Sequence, residues 1–129
     1  MVDSTKFNDW IEKAYRDIKS AKVLKEHDCG NDMVAFHCQQ AVEKLLKAYI
    51  IAEAGFIISS HSLIFLCKEA AKYNFEFKKY MKDCAFVNQF YIETRCPVDE
   101  PLVVTDDEAD ECISISEKIY GLVTKQIAI

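Results

Sequence analysis

Apolar residues recur along most of this chain at steps of three and four, the spacing that places them on one face of an α-helix. Between Ser4 and about His27 the repeat consists of Phe7, Ile11, Ala14, Ile18 and Ala21. Charged residues occupy the opposite side, so the pattern predicts a long amphipathic first helix. Gly30 is expected to stop it, and Asn31 or Asp32 to supply the side-chain cap of the next helix.

A second helix is predicted from about residue 32 to 54, where the apolar positions form an unbroken ladder of Val34, Cys38, Ala41, Leu45, Ala48 and Ala52. At about 100° per residue, a second set of side chains falls together on the other side of this helix. This polar row consists of Gln40, Glu43 and Lys47, with His37 and Lys44 beside them. We expect the rest of the chain to leave the polar row uncovered.

The rest of the chain also has helical spacing. Gly55 ends the second helix, Ser59 and Ser60 are the expected caps of a shorter helix from Leu63 to Tyr73, and a fourth helix is expected from about Glu76 to Thr94. An irregular connection, residues 96–107, holds both prolines. Thr105 and Glu108 have the spacing of a capping box that begins a last helix reaching the end of the sequence.

Short links between amphipathic helices favour antiparallel neighbours. We therefore predict an all-α fold, an antiparallel up-and-down four-helix bundle with an additional short helix, in a single domain over residues 1–129.

Composition narrows the class of protein. The chain has 129 residues, half of them hydrophobic, and a net charge of −5. That charge argues against nonspecific coating of nucleic acid, which needs clustered basic residues, although a local basic patch is compatible with it. The six cysteines lack zinc-site spacing and are expected to be reduced thiols of a cytoplasmic protein, most of them in the core. The apolar runs are too short to span a membrane.

Three segments in this order resemble one known family. They are "AFHCQQAVEKLLKA" on the second helix, "HSL" at the start of the third, and "YIETRCP" at the end of the fourth. The pattern resembles the HEPN domain (higher eukaryotes and prokaryotes nucleotide-binding) in its prokaryotic stand-alone form, over nearly the whole chain. The resemblance implies a homodimeric helical bundle associated with nucleotide or RNA and often encoded beside a minimal nucleotidyltransferase, as in toxin–antitoxin pairs.

Some members of the family are ribonuclease toxins, which carry a histidine after an arginine and four to six intervening residues. Arg95 would need that histidine at 100, 101 or 102, where the chain has Glu100, Pro101 and Leu102. Arg16 is followed at the same offsets by an alanine, a lysine and a valine. The dyad is absent from this sequence, so the resemblance argues against this ribonuclease activity.

Several candidate site residues have both a functional and a structural interpretation. Gln40, Glu43, Lys44 and Lys47 either line a polar cleft, with lysine meeting a phosphate, or form a solvated face with an ordinary ion pair four residues apart. Arg95 either recognises phosphate through its planar guanidinium or neutralises the end of its helix. His61 is either a titrating ligand contact or a residue that makes a capping or packing hydrogen bond. No metal constellation and no cofactor is predicted.

Three hypotheses follow. The leading one is a dimeric module that binds nucleotide or RNA through Arg95, Lys47 and Glu43, without catalysis. The second is a rewired ribonuclease in which Arg95 and His61 converge across the bundle. The third is a structural bundle that binds a partner protein, for which exposed apolar residues would serve as the contact. These are Phe36, Ile57, Ile58 and residues 101–104.

Overall fold

The protein is described by a computed structural model, which covers residues 4–91 and 103–127. The helices within this part of the chain are α1 (Ser4–Glu26), α2 (Asn31–Ala54), α3 (Leu63–Ala71), a 3-10 segment (Phe75–Tyr80), α4 (Met81–Asn88) and α5 (Asp106–Ile127). No strand occurs among these residues. The predicted all-α class and helix order are confirmed.

Side-chain contacts give the directions of the helices. Asp17 of α1 contacts His37 and Lys44 of α2, and the α1 residue Trp10 contacts Lys47 farther along α2, so these helices are antiparallel. Phe77, just before α4, packs on Tyr49 of α2, whereas Tyr91, just after α4, stacks on His61. Because His61 contacts Glu43, which precedes Tyr49 in α2, α4 is antiparallel to α2. Helix α5 runs back along α1, since Lys25 meets Asp106 and Tyr15 meets Tyr120. Helices α1, α2, α4 and α5 therefore alternate in direction, and α3 is the additional short helix.

Helix α2 lies in the middle of the bundle and contacts α1, α3, α4 and α5. Its apolar ladder is buried from Val34 to Ala48 and partly buried at Ala52, and the thiols of Cys38, Cys67, Cys84 and Cys112 are buried too. Burial raises the pKa of Cys38 to about 12, so this thiol stays protonated near neutral pH. These four cysteines are core residues, as predicted. Cys29 is exposed, and Cys96 lies outside the described residues.

Two helix boundaries follow the sequence signals. Gly55 adopts the left-handed conformation at the end of α2, with φ 81°, and its amide donates to Ile51. The capping box at the start of α5 is formed in both directions. The Glu108 amide donates to the Thr105 hydroxyl at 3.1 Å, and the Thr105 amide donates to the Glu108 carboxylate at 3.0 Å.

Two other cap predictions are wrong. The cap of α3 is Ser62, whose hydroxyl accepts from the Phe65 amide, whereas Ser60 accepts from the Ser62 amide within the loop. The cap of α2 is Gly30, which has no side chain. The Asn31 side chain donates instead to the Val104 carbonyl and the Asp106 carboxylate, near the start of α5. Spacing along the sequence does not reveal contacts between residues this far apart in the chain.

The predicted fourth helix is divided into the 3-10 segment and α4. Asn74 starts the 3-10 segment by accepting from the Glu76 amide. The helix ends at Asn88 and a turn continues to Tyr91. The remainder of that prediction, and most of the irregular connection after it, lies outside the described residues. Within the described ranges, no helix is long and apolar enough to cross a membrane.

Candidate functional site

The polar row of α2 centres on the carboxylate of Glu43. The Lys47 ammonium donates to Oε2 of Glu43 at 3.1 Å. On the other side, Nδ1 of His61 lies 3.1 Å from Oε2 and 3.3 Å from Oε1 of the same carboxylate. One buried carboxylate therefore binds a lysine from its own helix and a histidine from the loop before α3.

Glu43 and Lys47 are covered by the chain itself. Each side chain is only 7% exposed, so the expectation of an uncovered row is wrong for this pair, and so is the alternative of a solvated face. Trp10 of α1 contributes to the cover, since the Lys47 ammonium lies 5.7 Å from the centre of its indole ring. His37, Gln40 and Lys44 are partly buried, so the row is sealed at its centre and open along its edges.

His61 connects this buried carboxylate to solvent. Its side chain is 63% exposed although Nδ1 faces Glu43. A carboxylate only accepts hydrogen bonds, so the contact requires the hydrogen on Nδ1 and leaves Nε2 for other partners. The imidazole also stacks on Tyr91, with ring centres 5.2 Å apart and planes 15° from parallel. His61 precedes α3 but does not cap it, so of the two structural alternatives capping is wrong, whereas its contact with Glu43 is a packing hydrogen bond.

Gln39 is a member of the site that the sequence analysis missed. It is fully buried, and its side-chain amide lies 3.4 Å from both Glu43 Oε1 and the His61 carbonyl. The Gln40 amide donates in turn to the Gln39 oxygen at 2.8 Å. Gln39 stands four residues before Glu43, and this i,i+4 spacing was the available signal. Gln40 is therefore linked to the carboxylate through its neighbour.

A second carboxylate cluster lies where α1 meets α2. Asp17 accepts from the ammonium of Lys44 and lies 3.2 Å from Nδ1 of His37. Burial alone would raise the pKa of Asp17, but the hydrogen bonds from His37 and Lys44 together lower it below its ordinary value. The sequence placed Lys44 in the candidate site but gave no signal for Asp17, because its partners are on another helix.

Two surface grooves flank the Asp17 cluster. One, of about 370 Å³, is lined by Lys19, Ser20, Val23, Leu24 and His37. The other, of about 320 Å³, is lined by Asp9, Trp10, Lys13 and Lys44. Their volumes lie at the lower end of the range for small-molecule sites. The second groove brings two lysines next to an indole that already contacts Lys47.

Other candidates have different outcomes. Arg95 lies outside the described residues. Among the described residues there is no group of three or more histidine, cysteine or acidic side chains that would hold a metal ion. Every buried side-chain nitrogen and oxygen in the same ranges has a hydrogen-bond partner.

Comparisons with known proteins agree with this fold. TT1696 from Thermus thermophilus has a TM-score of 0.80 at 23% identity, over 94% of this chain and 98% of that chain. ST0689, described as an archaeal HEPN homologue, has a TM-score of 0.74 at 25% identity, over 94% and 97% of the two chains. No curated protein is significantly similar in sequence. The family model of the HEPN domain matches residues 7–127, and the chain therefore belongs to the HEPN domain family.

Proposed function

We propose that this protein is a homodimeric module that binds nucleotide or RNA, with His61 as the exposed contact of the polar row. The observation that supports it is the hydrogen-bonded series from Lys47 through Glu43 to His61. Two members of that series are buried and the third is largely exposed, so the buried pair holds the orientation of a surface imidazole.

The chemistry of His61 suits a nucleotide. The ring lies flat against Tyr91, so the pair presents aromatic surface on which a base stacks. Nε2 accepts from a ribose hydroxyl when the imidazole is neutral and donates to phosphate when it is protonated. The groove beside Lys13 and Lys44 offers ammonium groups for phosphate, and Arg95 is a further proposed phosphate contact.

Binding is testable through Trp10, the only tryptophan of the chain and a contact of Lys47. We expect adenosine and guanosine nucleotides or a short RNA to change its fluorescence in a saturable way. His61→Ala and Arg95→Ala should each weaken binding, because each removes a proposed ligand contact. His27→Ala is the matched control, since His27 is exposed at the end of α1 and is not in the polar row. Equal affinities for wild type and His61→Ala would reject the proposal.

The partner is the second part of the proposal. The family resemblance supports a homodimer and a minimal nucleotidyltransferase as companion. Co-purification from the native host, followed by mass spectrometry of bound protein and nucleic acid, tests both the partner and the ligand. We expect a nucleotidyltransferase and RNA or nucleotide in the wild-type sample, and less captured nucleic acid with Arg95→Ala. Capture of proteins alone would favour the structural, partner-binding hypothesis.

The Glu43–His61 contact also favours a second candidate, the rewired ribonuclease. A carboxylate that fixes the tautomer and orientation of an exposed imidazole is the arrangement used for general acid–base catalysis. Under this hypothesis Nε2 of His61 takes the proton of a ribose 2′-hydroxyl, whose oxygen bonds to the adjacent phosphorus as the bond to the 5′-oxygen breaks. The leaving 5′-oxygen takes a proton from solvent, and Arg95 stabilises the phosphate. Incubation with labelled RNA distinguishes the two candidates. Cleavage that depends on His61 and Glu43 supports catalysis, and intact RNA bound by the wild type supports binding alone.

A further inference from the structure

The outer side of α3 and the 3-10 segment form an unusual surface. Three exposed aromatic rings and four exposed lysines are interspersed there, in the order Phe65, Lys68, Lys72, Tyr73, Phe75, Lys78 and Lys79. We call these seven residues the α3 surface. Phe75 is 74% exposed, and Phe65 and Tyr73 are 44% and 46% exposed. Burial of these rings would have stabilised the bundle, so three exposed rings so close in sequence call for a physical account.

The charge of this part of the molecule is opposite to that of the chain. Residues 63–88 hold five lysines and three acidic residues, a net charge of +2, in a chain whose net charge is −5. Lys72 pairs with Glu69 at 2.7 Å, and the Lys78 ammonium lies 4.9 Å from the centre of the Phe75 ring. Lys79 is exposed beside them. Lys78 and its neighbour Lys79 therefore carry positive charge beside a solvent-facing aromatic ring, whereas the charge of Lys72 is balanced by Glu69.

We propose that the α3 surface binds single-stranded nucleic acid, with bases stacked on Phe75 and Tyr73 and phosphates contacted by Lys72, Lys78 and Lys79. Single strands combine free base faces with a regular row of negative charge, and aromatic rings between lysines match both features. A duplex hides its base faces. An acidic protein surface would satisfy the lysines, but it would not need flat aromatic rings between them.

This inference deepens the proposed function, because it names single strands as the ligand class, yet it concerns different residues. Mononucleotide binding reported by Trp10 tests the polar row, and strand binding tests the α3 surface. Failure of His61→Ala to change mononucleotide affinity would reject the first and leave the second standing. If substitution of Phe75 left the affinity for single strands unchanged, the second proposal would be rejected and the first would stand.

The test is fluorescence anisotropy with a labelled single-stranded RNA of about 12 nucleotides, within the site sizes that such proteins cover. We expect Phe75→Ala to weaken binding about tenfold, the loss typical of one stacked base. Phe56→Ala is the matched control, because Phe56 is 55% exposed but follows Gly55 in an apolar loop. Its affinity should equal that of the wild type. Since both rings are exposed, circular dichroism should show that both variants fold.

Charge is tested with a second pair of variants. Lys78→Glu with Lys79→Glu should reduce the slope of log affinity against log salt by about 1.4, because each phosphate contact to a single strand contributes about 0.7. Lys118→Glu with Lys125→Glu makes the same change in net charge on α5 and should leave the slope unchanged. A duplex of the same length should bind more weakly, and DNA of the same sequence tests whether ribose contributes.

Three results would overturn the proposal. Phe75→Ala could bind like the wild type, or Phe56→Ala could lose as much affinity, which would indicate nonspecific adhesion. Alternatively, the Lys78 and Lys79 variants could change the mass of the protein in solution without changing strand affinity. The α3 surface would then be a contact between protein chains.

Discussion

We expect the buried ion pair of Glu43 and Lys47 to contribute little to net stability. Both groups lose their hydration when they are covered, and their mutual attraction approximately compensates for that loss. Removing one partner is different, because the other charge then stays buried without compensation. The role of the pair is therefore to fix the position of His61, with a small net benefit to stability. Substituting both residues together separates this role from any role in folding.

We predict that Glu43→Leu destabilises the protein by about 3 kcal/mol or more, since it leaves the Lys47 ammonium buried without a carboxylate. Glu43→Leu combined with Lys47→Met should recover most of that loss, because apolar side chains of similar volume fill the same space. Urea unfolding of the wild type and both variants measures this. Equal destabilisation of the single and double variants would contradict the proposed balance.

Asp17 provides a pH-dependent prediction. Its pKa is lower in the folded protein than the ordinary value of 3.8, so its contribution to the free energy of unfolding is fully present above 3.8. The contribution disappears as the pH falls through the lowered pKa of the folded state. We therefore expect Asp17→Asn to be less stable than the wild type at neutral pH, and the difference to shrink only below 3.8.

Asp9→Asn is the control for this pH series, because Asp9 is exposed and has no ion pair among the described residues. Its unfolding free energy should follow that of the wild type at every pH. A difference between wild type and Asp17→Asn that is constant down to acid pH would mean that Asp17 acts by shape rather than by charge.

Most residues of the candidate site could be predicted from their spacing in the sequence. Their burial could not, because it depends on contacts between different parts of the fold. The spacing of Glu43 and Lys47 predicted their contact. Their burial depends on Trp10 from α1, which contacts Lys47, and on His61, which lies in the loop between α2 and α3 and contacts Glu43. Helical periodicity describes one helix at a time, so it assigned this row to the surface. For the same reason it missed Asp17, whose partners are both on α2.

Among the elements, caps were predicted where the local sequence suffices and missed where several residues compete. The Thr105–Glu108 box combines two matching signals at a fixed spacing, and both hydrogen bonds are present. Before α3, three serines within four positions offered the same hydroxyl, and only the backbone path selects Ser62.

The capping box leads to a prediction for α5. Thr105→Ala should destabilise the protein by about 1 kcal/mol, because the Glu108 amide loses its acceptor and the helix begins without a side-chain cap. Thr124→Ala is the matched substitution inside the same helix. Its hydroxyl donates to the Tyr120 carbonyl, which already accepts a backbone hydrogen bond within the helix, so losing this donor should cost little. Alanine also has the higher helix propensity, which should offset the loss. Thermal unfolding should show a clear loss for Thr105→Ala and little change for Thr124→Ala.

For the whole molecule, the order and direction of the helices were predictable because amphipathic segments joined by short links have few ways to pack. The contacts between chains are not determined in this way. Of the apolar residues predicted to form an interface, Ile57 is exposed, Phe36 and Ile58 are partly buried, and Val104 belongs to the core. Val103 is exposed, and residues 101–102 lie outside the described part. Ile57 and Val103 are therefore the remaining candidate contacts for a second copy.

We predict that Ile57→Asp shifts the proposed homodimer towards monomer, because it places a charge in an interface whose core would exclude water. Val23→Asp is the matched control. Val23 is 52% exposed and Ile57 is 51% exposed, so both substitutions add one negative charge at an apolar position of the same exposure. Light scattering over a range of protein concentrations measures the mass of each. If both variants dimerise as the wild type does, the contact lies elsewhere on the bundle, and if all three are monomers, the homodimer proposal is wrong.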